Sequence, residues 1–493
     1  MDSVKRSQEN IDVDWFEMCD EAIKSFQPDL CGLSIMFGAS FEDAQSIGET
    51  IRGKYPGMII VSGGVHVTGL AKENGTELDF NDFICINESE NHFVDLIRYI
   101  NGDTDCVKGV IVKNTKYLRN KDDISNVLNT PDQLDEIPIP EFSAVELADY
   151  FRYGILSAAQ TVEYDTPLAT MQTTRGCKAR CTFCSVRNFN GFGIRQHSPE
   201  RVLKEIDLLY HQHGIRHIDF VDDDFTVSKE RTIKICEMLI DRKYNLTWSI
   251  GNGIRLGTLD DELLTCMADA GCTYFSLGIE SGDNDILHEM KKPLTIRKLE
   301  EKAPLLDRHP RIYYRANFIV GFPGETMEQL QRTFNCAKKY SWDWSLFSYC
   351  KPLPDTELYD QLLENRDSSS SKDKHLGNND YTFNTITGIS VESLEEQQIV
   401  DMTYDQNLIN NFQFNKNLHG RHVDRAITDF ERVTKMAKDH AFAWNCLAIG
   451  HSKMGQKDKM KTAQIRTKEI VANSDYWKSK FKQMNFPIMS SNH

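Results

Sequence analysis

The sequence predicts an α/β protein in which a doubly wound parallel-sheet domain is followed by a partial (βα)6 barrel and a mostly helical C-terminal region. Residues 1–115 alternate strand-like and helix-like segments, and residues 166–360 contain about six strand–helix units. Residues 116–165 have weaker periodicity and are predicted to form a connector. Residues 361–493 are predicted to be mostly helical.

The N-terminal segments follow the order of a parallel sheet. PDLCGLSIMF reads as a buried strand, and Ser40 is the predicted N-cap of a helix with apolar residues at helical spacing. MIIVSGGVHVTG is a second strand that ends in a Gly-Gly turn, and FNDFICINESENHFVDLIRYING supplies another strand and helix. This order implies a doubly wound sheet, which binds ligands at the carboxyl ends of its strands.

The second sheet is predicted from capped helices that alternate with short apolar strands. Ser198, Ser228 and Thr258 are predicted N-caps. Thr326 and Gln329 are predicted to form a capping box. The predicted strands are PLATMQTT, RHIDFV, TWSI, CTYFSLGIES, YYRANFIVGFPGE and SLFSYCKPLP. We expect all of them to run parallel, with the chemistry at their carboxyl ends, as in a (βα) barrel.

The C-terminal region begins with a polar stretch, NRDSSSSKDK, which is predicted to be a loop. Further on, Trp444, Leu447, a turn at Gly455, and Ala463 resemble one tetratricopeptide-like helical hairpin. A single repeat cannot bury its own apolar face, so we expect these helices to pack against the barrel.

Composition limits the class of protein. The net charge of −16 argues against a nucleic acid or an anionic membrane as the main partner. No stretch approaches the roughly 18 apolar residues of a membrane span, and the acidic N-terminus lacks the apolar core of a signal peptide. The 13 cysteines are mostly scattered singly within apolar runs, which predicts reduced thiols in the cytoplasm.

Three cysteines, Cys177, Cys181 and Cys184, lie within eight positions of one predicted loop. Structural zinc normally takes four ligands, and a disulfide takes two thiols. A four-iron cluster held by three thiolates has one iron open to an exogenous ligand. The alternatives are a zinc site completed by a distant histidine such as His197, or three unrelated thiols.

The pattern Cys-x3-Cys-x2-Cys, with Phe183 before the last cysteine, resembles the signature of the radical S-adenosylmethionine (radical SAM) enzymes. The segments TTRGC, DDDF, GIES and GFPGET also fall where that family places cofactor contacts. The resemblance implies that Cys177, Cys181 and Cys184 hold a 4Fe–4S cluster whose open iron binds S-adenosylmethionine. Reductive cleavage of this cofactor gives a 5′-deoxyadenosyl radical in the family.

The resemblance also implies roles for polar residues at the strand ends. Phe183 would contact the adenine, and Asp223 or Asp224 would bind the methionyl amino group. Glu280 would bind the ribose hydroxyls, and Arg255 would pair with the methionyl carboxylate. The alternatives are a solvated acidic turn for the aspartates and a structural salt bridge for Arg255.

NFIVGFPGET resembles the adenine-binding strand of the family, which reads GxIxGxxE. Backbone contacts are expected from Ile319 and Gly321. The segment departs from the pattern at Asn317, which replaces the first glycine, and at Gly324, which stands where the glutamate is expected. The glutamate follows one position later, as Glu325.

The N-terminal zone resembles the cobalamin-binding domain that precedes many radical SAM cores. The resemblance implies that Ser34 approaches the lower face of the corrin and that Gly63 and Gly64 let the backbone approach the nucleotide tail. Asn87 and Ser89 replace both glycines of a segment that usually reads Gly-Glu-Gly-Glu.

Two features of this zone depart from the cobalamin-binding family. The DxHxxG motif that ligates cobalt is absent, and His66 is expected to pack beside the glycine turn rather than to ligate cobalt. The usual first strand and helix are expected to be missing before PDLCGLS, so the domain is predicted to be shortened at its N-terminus.

These features predict a radical SAM enzyme that uses cobalamin to methylate an unactivated carbon of a small-molecule or peptide substrate. The expected partner is an electron donor such as flavodoxin or ferredoxin. An alternative is a radical SAM cyclase or rearrangement enzyme of the same layout, as in tetrapyrrole ring formation. A further alternative, from another class, is a non-catalytic iron–sulfur scaffold.

Overall fold

The computed structural model describes residues 15–72, 76–105, 107–114, 124–125, 133–145, 147–148, 162, 166–191, 193–353, 356–364, 394–420 and 422–489. The predicted polar loop NRDSSSSKDK and most of the predicted connector lie outside these residues. Within them, no helix is both long enough and apolar enough to span a membrane.

The N-terminal part of the chain forms a four-stranded sheet in the order β1-β2-β3-β5. Its strands, with the separate pair β4 and β6, are β1 (Leu30–Ser34), β2 (Ile59–Gly63), β3 (Phe83–Cys85), β4 (Val107–Lys108), β5 (Val110–Val112) and β6 (Ile124–Ser125). Its helices are α1 (Trp15–Phe26), α2 (Phe41–Lys54), α3 (Val65–Lys72) and α4 (Glu90–Asn101).

Helices cover both faces of this sheet. One apolar cluster joins Ile60 of β2 to Val67 of α3, and a second cluster joins Phe83 of β3 to Leu96 of α4. The prediction of a doubly wound sheet is therefore confirmed. β1, β2 and β3 are parallel, but β5 is antiparallel to β3 and adds an edge strand that the sequence pattern did not predict.

The expectation that the usual first strand and helix are missing before PDLCGLS is wrong for the helix, and a strand before that helix would lie outside the described residues. Helix α1 lies directly before β1, and Asp20 on it accepts a hydrogen bond from Tyr55 Oη at 2.5 Å. Lys54 Nζ lies 2.6 Å from the same carboxylate, so α1 is fixed against the end of α2. The helix is amphipathic, with the sequence WFEMCDEAIKSF. It was not predicted from the sequence.

The second sheet has six parallel strands in the order β7-β10-β11-β12-β13-β14, as predicted. They are β7 (Leu168–Met171), β10 (His217–Phe220), β11 (Thr247–Ile254), β12 (Cys272–Glu280), β13 (Tyr313–Val320) and β14 (Trp344–Tyr349), and a short hairpin of β8 (Thr174–Arg175) and β9 (Arg195–Gln196) follows β7. The helices are α5 (Val186–Asn190), α6 (Pro199–Gln212), α7 (Lys229–Arg242), α8 (Asp261–Asp269), α9 (Asn284–Glu289), α10 (Ile296–Leu306), α11 (Met327–Lys339) and α12 (Glu357–Glu364).

Most of the predicted helix caps are present. The side chains of Ser198 and Ser228 accept backbone hydrogen bonds as N-caps, and Thr326 with Gln329 forms the capping box. Thr258 is not an N-cap, because the helix begins three residues later, at Asp261, and Asp260 accepts the hydrogen bond from Leu263 N at 2.9 Å.

Side chains alternate between the two faces of the barrel strands. One face packs under the helices in the main apolar core, to which Ile218, Phe275 and Phe318 belong. The alternate residues face the inside of the barrel, which we call the lumen, and many of them are polar, such as Asp219 and Ser276. A polar lumen that opens at the carboxyl ends of the strands is suited to binding a ligand.

The C-terminal region is helical, as predicted. Its helices are α13 (Glu396–Leu408), α14 (Lys416–His419), α15 (Val423–Met436), α16 (Ala441–Lys453), α17 (Lys457–Asn473) and α18 (Asp475–Gln483). The expected hairpin consists of α16 and α17, with Gly455 (φ 71°) in the turn. Helix α15 packs against the barrel, where Asp429 accepts a hydrogen bond from Tyr313 Oη at 3.1 Å.

Candidate active site

The three cysteines lie between β8 and β9, at the carboxyl end of β7. The N–H of Cys184 donates to the carbonyl of Cys181 at 3.2 Å, which forms a tight turn. Burial raises the pKa of all three thiols, to about 11 for Cys181. A bound metal cation is what would hold these half-buried groups as thiolates, which fits a metal-ligand role.

Neighbouring elements fix this loop. The N–H of Thr182 donates to the carbonyl of Met290 after α9 at 3.0 Å, and the carbonyl of Thr182 accepts from Leu358 N of α12 at 2.9 Å. The alternative zinc ligand His197 is hydrogen-bonded to Asp135 instead, at 3.0 Å. Among the described residues, no group of three or more His, Cys, Asp or Glu side chains forms a site for a single metal ion.

The first two of the three aspartates after β10 hold the backbone around the cysteine loop. Asp222 accepts hydrogen bonds from the N–H and the hydroxyl of Thr173, at 2.5 and 2.6 Å. Asp223 accepts from the N–H of Gly176 at 2.7 Å and from Asn190 Nδ2 at 2.6 Å. Both carboxylates therefore have a structural task next to the first cysteine.

Asp224 differs because one of its carboxylate oxygens is buried without a hydrogen-bond partner. Its Oδ2 lies 2.6 Å from the guanidinium of Arg255 and 3.9 Å from the sulfur of Cys177. Its Oδ1 is buried and has no hydrogen-bond partner. A buried carboxylate oxygen without a partner is costly, so this position fits an ammonium group bound beside the first cysteine. Of the two predicted candidates, Asp224 fits better than Asp223.

Glu280 ends β12 in the left-handed backbone region, with φ at 68°. Its Oε1 forms an ion pair with Lys292 Nζ at 2.8 Å. An added Cβ at Gly278 would lie 2.6 Å from Glu280 Oε1 and 2.7 Å from Lys292 Nζ, so glycine leaves the space for this pair. Lys292 was not predicted. Its charge acts against the burial that raises the pKa of Cys181 and Cys184.

The residues predicted for adenine come together. Phe183 and Ile319 pack in one apolar cluster with Phe322. Gly321 has φ at 79°, and its N–H donates to Glu325 Oε2 at 2.8 Å. The glutamate that follows the family position by one residue is therefore buried and stabilises the turn after β13.

The residues predicted for cobalamin lie at the carboxyl edge of the first sheet. Ser34 is exposed at the end of β1 and is paired in register with Gly63 of β2. Gly64 has φ at 112°, and an added Cβ would lie 2.4 Å from the carbonyl oxygen of Ile35, so the chain itself requires this glycine. His66 packs beside the turn, as expected, with its ring edge-on to Phe41.

An ion-pair network joins this edge to the cysteine loop, and the sequence interpretation missed it. Glu88, after β3, is ion-paired with Arg175 of β8 at 2.7 Å and with Arg195 of β9. Asn87 has φ at 58°, and its Nδ2 donates to the carbonyl of Phe189 at 2.5 Å. The one sign of this contact in the sequence was Asn87 in place of the usual glycine, since both residue types tolerate positive φ.

Comparisons with known proteins agree with this arrangement. The family model described as the radical SAM superfamily matches residues 171–337, and the model of the B12-binding domain matches residues 7–97. The chain carries a radical SAM domain preceded by a B12-binding domain. The radical SAM domain implies a 4Fe–4S cluster and S-adenosylmethionine, and the B12-binding domain implies cobalamin.

Two curated relatives match much of the chain. An uncharacterized methyltransferase of Pyrococcus horikoshii is 28% identical over 345 residues, which cover 70% of this chain and 71% of the relative. An anaerobic magnesium-protoporphyrin IX monomethyl ester cyclase of Rubrivivax gelatinosus is 26% identical over 353 residues, which cover 69% of this chain and 60% of the relative.

A solved structure shares the fold. The cobalamin-dependent S-adenosylmethionine radical enzyme OxsB, solved with aqua-cobalamin and S-adenosylmethionine bound, has a TM-score of 0.55 and 23% identity, and the match covers 71% of this chain and 48% of OxsB. This match therefore spans about half of OxsB. The predicted α/β architecture is confirmed, while the individual roles of the site residues stay predictions.

Proposed function

We propose that the protein is a cobalamin-dependent radical SAM enzyme that methylates an unactivated carbon of its substrate. One observation carries the proposal: Glu88 connects the three-thiol loop to the carboxyl edge of the sheet in the B12-binding domain, where ligands are expected to bind. Beside that loop, Asp224 has a buried oxygen without a hydrogen-bond partner. Similarity to a methyltransferase of Pyrococcus horikoshii supports methyl transfer.

In this proposal, Cys177, Cys181 and Cys184 hold the 4Fe–4S cluster. When bound, the cofactors supply the reductive cleavage of S-adenosylmethionine to a 5′-deoxyadenosyl radical and the methyl group of cobalamin. Asp224 binds the methionyl ammonium, and Arg255, already paired with Asp224, is placed to meet the methionyl carboxylate.

The remaining side chains bind and orient the nucleoside. Glu280, fixed by Lys292, binds the ribose hydroxyls through its second oxygen. Phe183 and Ile319 pack on the adenine and exclude water from it. Ser34, with Gly63 and Gly64, lines the cobalamin site at the carboxyl edge of the first sheet.

The proposal has consequences for partners and location. Each turnover would need one electron for the cluster and a second one for cobalamin before it could accept a new methyl group. A flavodoxin or ferredoxin would donate both, and a reduced cluster suits the cytoplasm. The polar lumen suits a small molecule or a peptide end better than a nucleic acid, which the net charge of −16 would repel.

The first test measures whether the protein carries out the radical SAM reaction. Protein reconstituted anaerobically with iron and sulfide should form 5′-deoxyadenosine from S-adenosylmethionine when reduced. Cys181→Ala should abolish this product. Cys266→Ala is the matched control, because Cys266 is a part-buried thiol of α8, outside the three-cysteine loop, that donates to the carbonyl of Ile233. Cleavage that survives in Cys181→Ala would refute the cluster assignment, whereas no cleavage by the reconstituted wild type would favour the scaffold alternative.

The second test separates methyl transfer from cyclisation, which the similarity to the Rubrivivax gelatinosus cyclase keeps as the second candidate. The protein should bind cobalamin, as measured by its visible absorption after gel filtration. Candidate substrates should then gain the mass of one methyl group with 5′-deoxyadenosine formed in the same reaction. A product whose mass falls by hydrogen loss, with no methyl gain, would favour the cyclase.

A further inference from the structure

Arg315 lies on the lumen face of β13 and is held there by neighbours on β12. Its flanking residues Tyr314 and Ala316 belong to the core under the helices, so its own side chain turns into the barrel. Its NH2 group donates to Ser276 Oγ at 2.9 Å, and its guanidinium lies 5.6 Å from the ring centroid of Tyr274. These contacts fix the guanidinium without neutralising it.

The charge of Arg315 is unpaired among the described residues. Arg315 forms no ion pair there, and its Nε is buried without a hydrogen-bond partner. By contrast, Arg255 is paired with Asp224, and Arg425 is paired with Asp343. A half-buried cation normally has an anionic partner, because taking the charge out of water is costly. Among the described residues, none forms such an ion pair with Arg315.

The position of Arg315 separates it from the cofactor residues. It precedes Ile319 by four residues on β13, which corresponds to roughly 13 Å of strand. Between them, on the same face, Asn317 has a buried side-chain oxygen without a hydrogen-bond partner. Thr170 of β7 and Leu346 of β14, on lumen faces at the two sides of the sheet, are exposed, so the lumen is open to solvent.

We propose that Arg315 is a substrate-binding residue that pairs with the anionic group, a carboxylate or a phosphoryl group, of a small acidic substrate. The proposal rests on the proposed function and adds the chemical class of the substrate. The planar guanidinium can form two parallel hydrogen bonds to either anion. The substrate would thus be anchored by its acidic group at the inner end of the lumen, with its reacting carbon toward the cysteine loop.

The test uses paired small probes on the reconstituted protein in the presence of S-adenosylmethionine. Propionate and methylphosphonate carry the two anionic groups, and propionamide is the neutral analogue of propionate. Each probe is titrated while the Tm is recorded. We expect one or both anions to raise the Tm of the wild type and propionamide to leave it unchanged. Which anion acts distinguishes a carboxylate substrate from a phosphoryl one.

The variants are Arg315→Gln, Arg315→Lys and the control Arg311→Gln. Arg311 is a surface arginine just before β13, with its side chain 65% exposed. Anion affinity should fall about tenfold or more in Arg315→Gln, fall less in Arg315→Lys, and stay unchanged in Arg311→Gln. If Arg315→Gln does not fold, the weakened binding expected of Arg315→Lys carries the same test.

Three results would overturn the proposal: no response of the wild type to either anion, an equal response to propionamide, or undiminished anion binding in both Arg315 variants. Formation of 5′-deoxyadenosine is measured in the same wild-type preparation. Its absence would refute the proposed radical SAM reaction, while the anion titrations would still report on Arg315 independently.

Discussion

Glu280 combines an unfavourable backbone conformation with a buried ion pair. A non-glycine residue in the left-handed region costs on the order of 1–3 kcal/mol and persists only where its surroundings enforce it. Here Lys292 supplies that enforcement, and both side chains are only 11% exposed. Such strain is concentrated at functional sites, and it places this carboxylate at the carboxyl end of β12, where the ribose is proposed to bind.

The Glu280–Lys292 pair should behave as one unit in a double-mutant cycle. Lys292→Met leaves a buried carboxylate without its partner, so we expect a loss of about 3 kcal/mol in the free energy of unfolding, measured by urea titration. The double variant Lys292→Met/Glu280→Gln should recover part of that loss. Lys291→Met is the control, because Lys291 is half-exposed and its pair with Glu357 should contribute less than about 1 kcal/mol. Additive single effects would contradict this coupling.

Glu325 predicts a pH dependence of stability. Burial raises the pKa of Glu325 to about 7, against the hydrogen bonds from Gly321 and Phe322 that lower it. The folded state therefore holds this proton more tightly than the unfolded chain does. The contribution of Glu325 to stability is present below about pH 4.5 and is lost as the pH rises toward about 7.

Glu325→Gln should remove this dependence. The free energy of unfolding of the wild type relative to Glu325→Gln should fall between about pH 5 and about pH 7 and level off above that. Urea unfolding at several pH values measures the difference. A difference that is constant with pH, or that grows as the pH rises, would show that this carboxylate is ionised in the folded protein throughout.

At the scale of single residues, the sequence predicts which side chains lie in the site but not which contacts each of them makes. The positions of Asp223 and Asp224 follow from the strand that precedes them. Which of them has a buried oxygen without a hydrogen-bond partner depends on residues from other segments that surround the two carboxylates, such as Arg255 beside Asp224. Lys292 follows α9, in a turn whose path no local pattern fixes, so its pairing with Glu280 could not be predicted.

Among the structural elements, the edge strand β14 is protected by a helix rather than by another strand. Asn411 Oδ1 accepts from Ser345 N at 2.8 Å, and its Nδ2 donates to the carbonyl of Ser345 at 2.6 Å. Asn407, four residues earlier, makes the same pair of bonds to Phe347, at 3.0 Å each. These two amides take the place of a seventh strand and satisfy backbone groups that an open edge would leave unpaired.

Loss of these amides should destabilise the barrel edge. Asn411→Ala leaves a buried N–H and C=O of Ser345 without partners, and we expect a loss of about 1–3 kcal/mol in the free energy of unfolding. Asn410→Ala is the matched control, because the Asn410 amide bonds one turn back, to Gln406 of α13, and not to β14. Urea unfolding measures both variants. Equal losses would mean that the Asn411 bonds to β14 add nothing beyond local helix stability.

Elements are predictable from the sequence when their pattern of apolar and polar residues repeats over enough positions. The six barrel strands and their capped helices repeat one pattern, and they were predicted in the correct order. The short hairpin β8–β9 has two residues in each strand, and β5 has three, so neither repeats long enough to show an alternation. The contact with β14 depends on Asn407 of α13 and on Asn411 in the π-helical turn Ile409–Gln413 that continues it. Their partners are backbone atoms, which no side-chain pattern reveals.

In the whole molecule, the carboxyl edge of the first sheet faces the cysteine loop of the barrel. Glu88 and Asn87 reach from β3 to the hairpin that encloses the three cysteines. A methyl group carried by one cofactor and a radical formed at another must meet at one substrate, so the relative placement of the two sites limits the reaction. The sequence predicts both sites but not the ion pairs that connect them, because the paired residues are about 90 to 110 residues apart along the chain.

Glu88 should therefore control the order of the cysteine loop from the neighbouring domain. Its side chain is 2% exposed and is shared by two arginines, whereas Glu90, 36% exposed, pairs with Arg175 alone. Glu88→Gln removes the charge that both arginines require, so amide hydrogen exchange between β8 and β9 should speed up, with about 2–3 kcal/mol lost in the free energy of unfolding. Glu90→Gln should change both quantities little. If exchange in the loop were the same in Glu88→Gln as in the wild type, the cysteine loop would be held by the barrel alone, and the domain contact would serve only to join the two sheets.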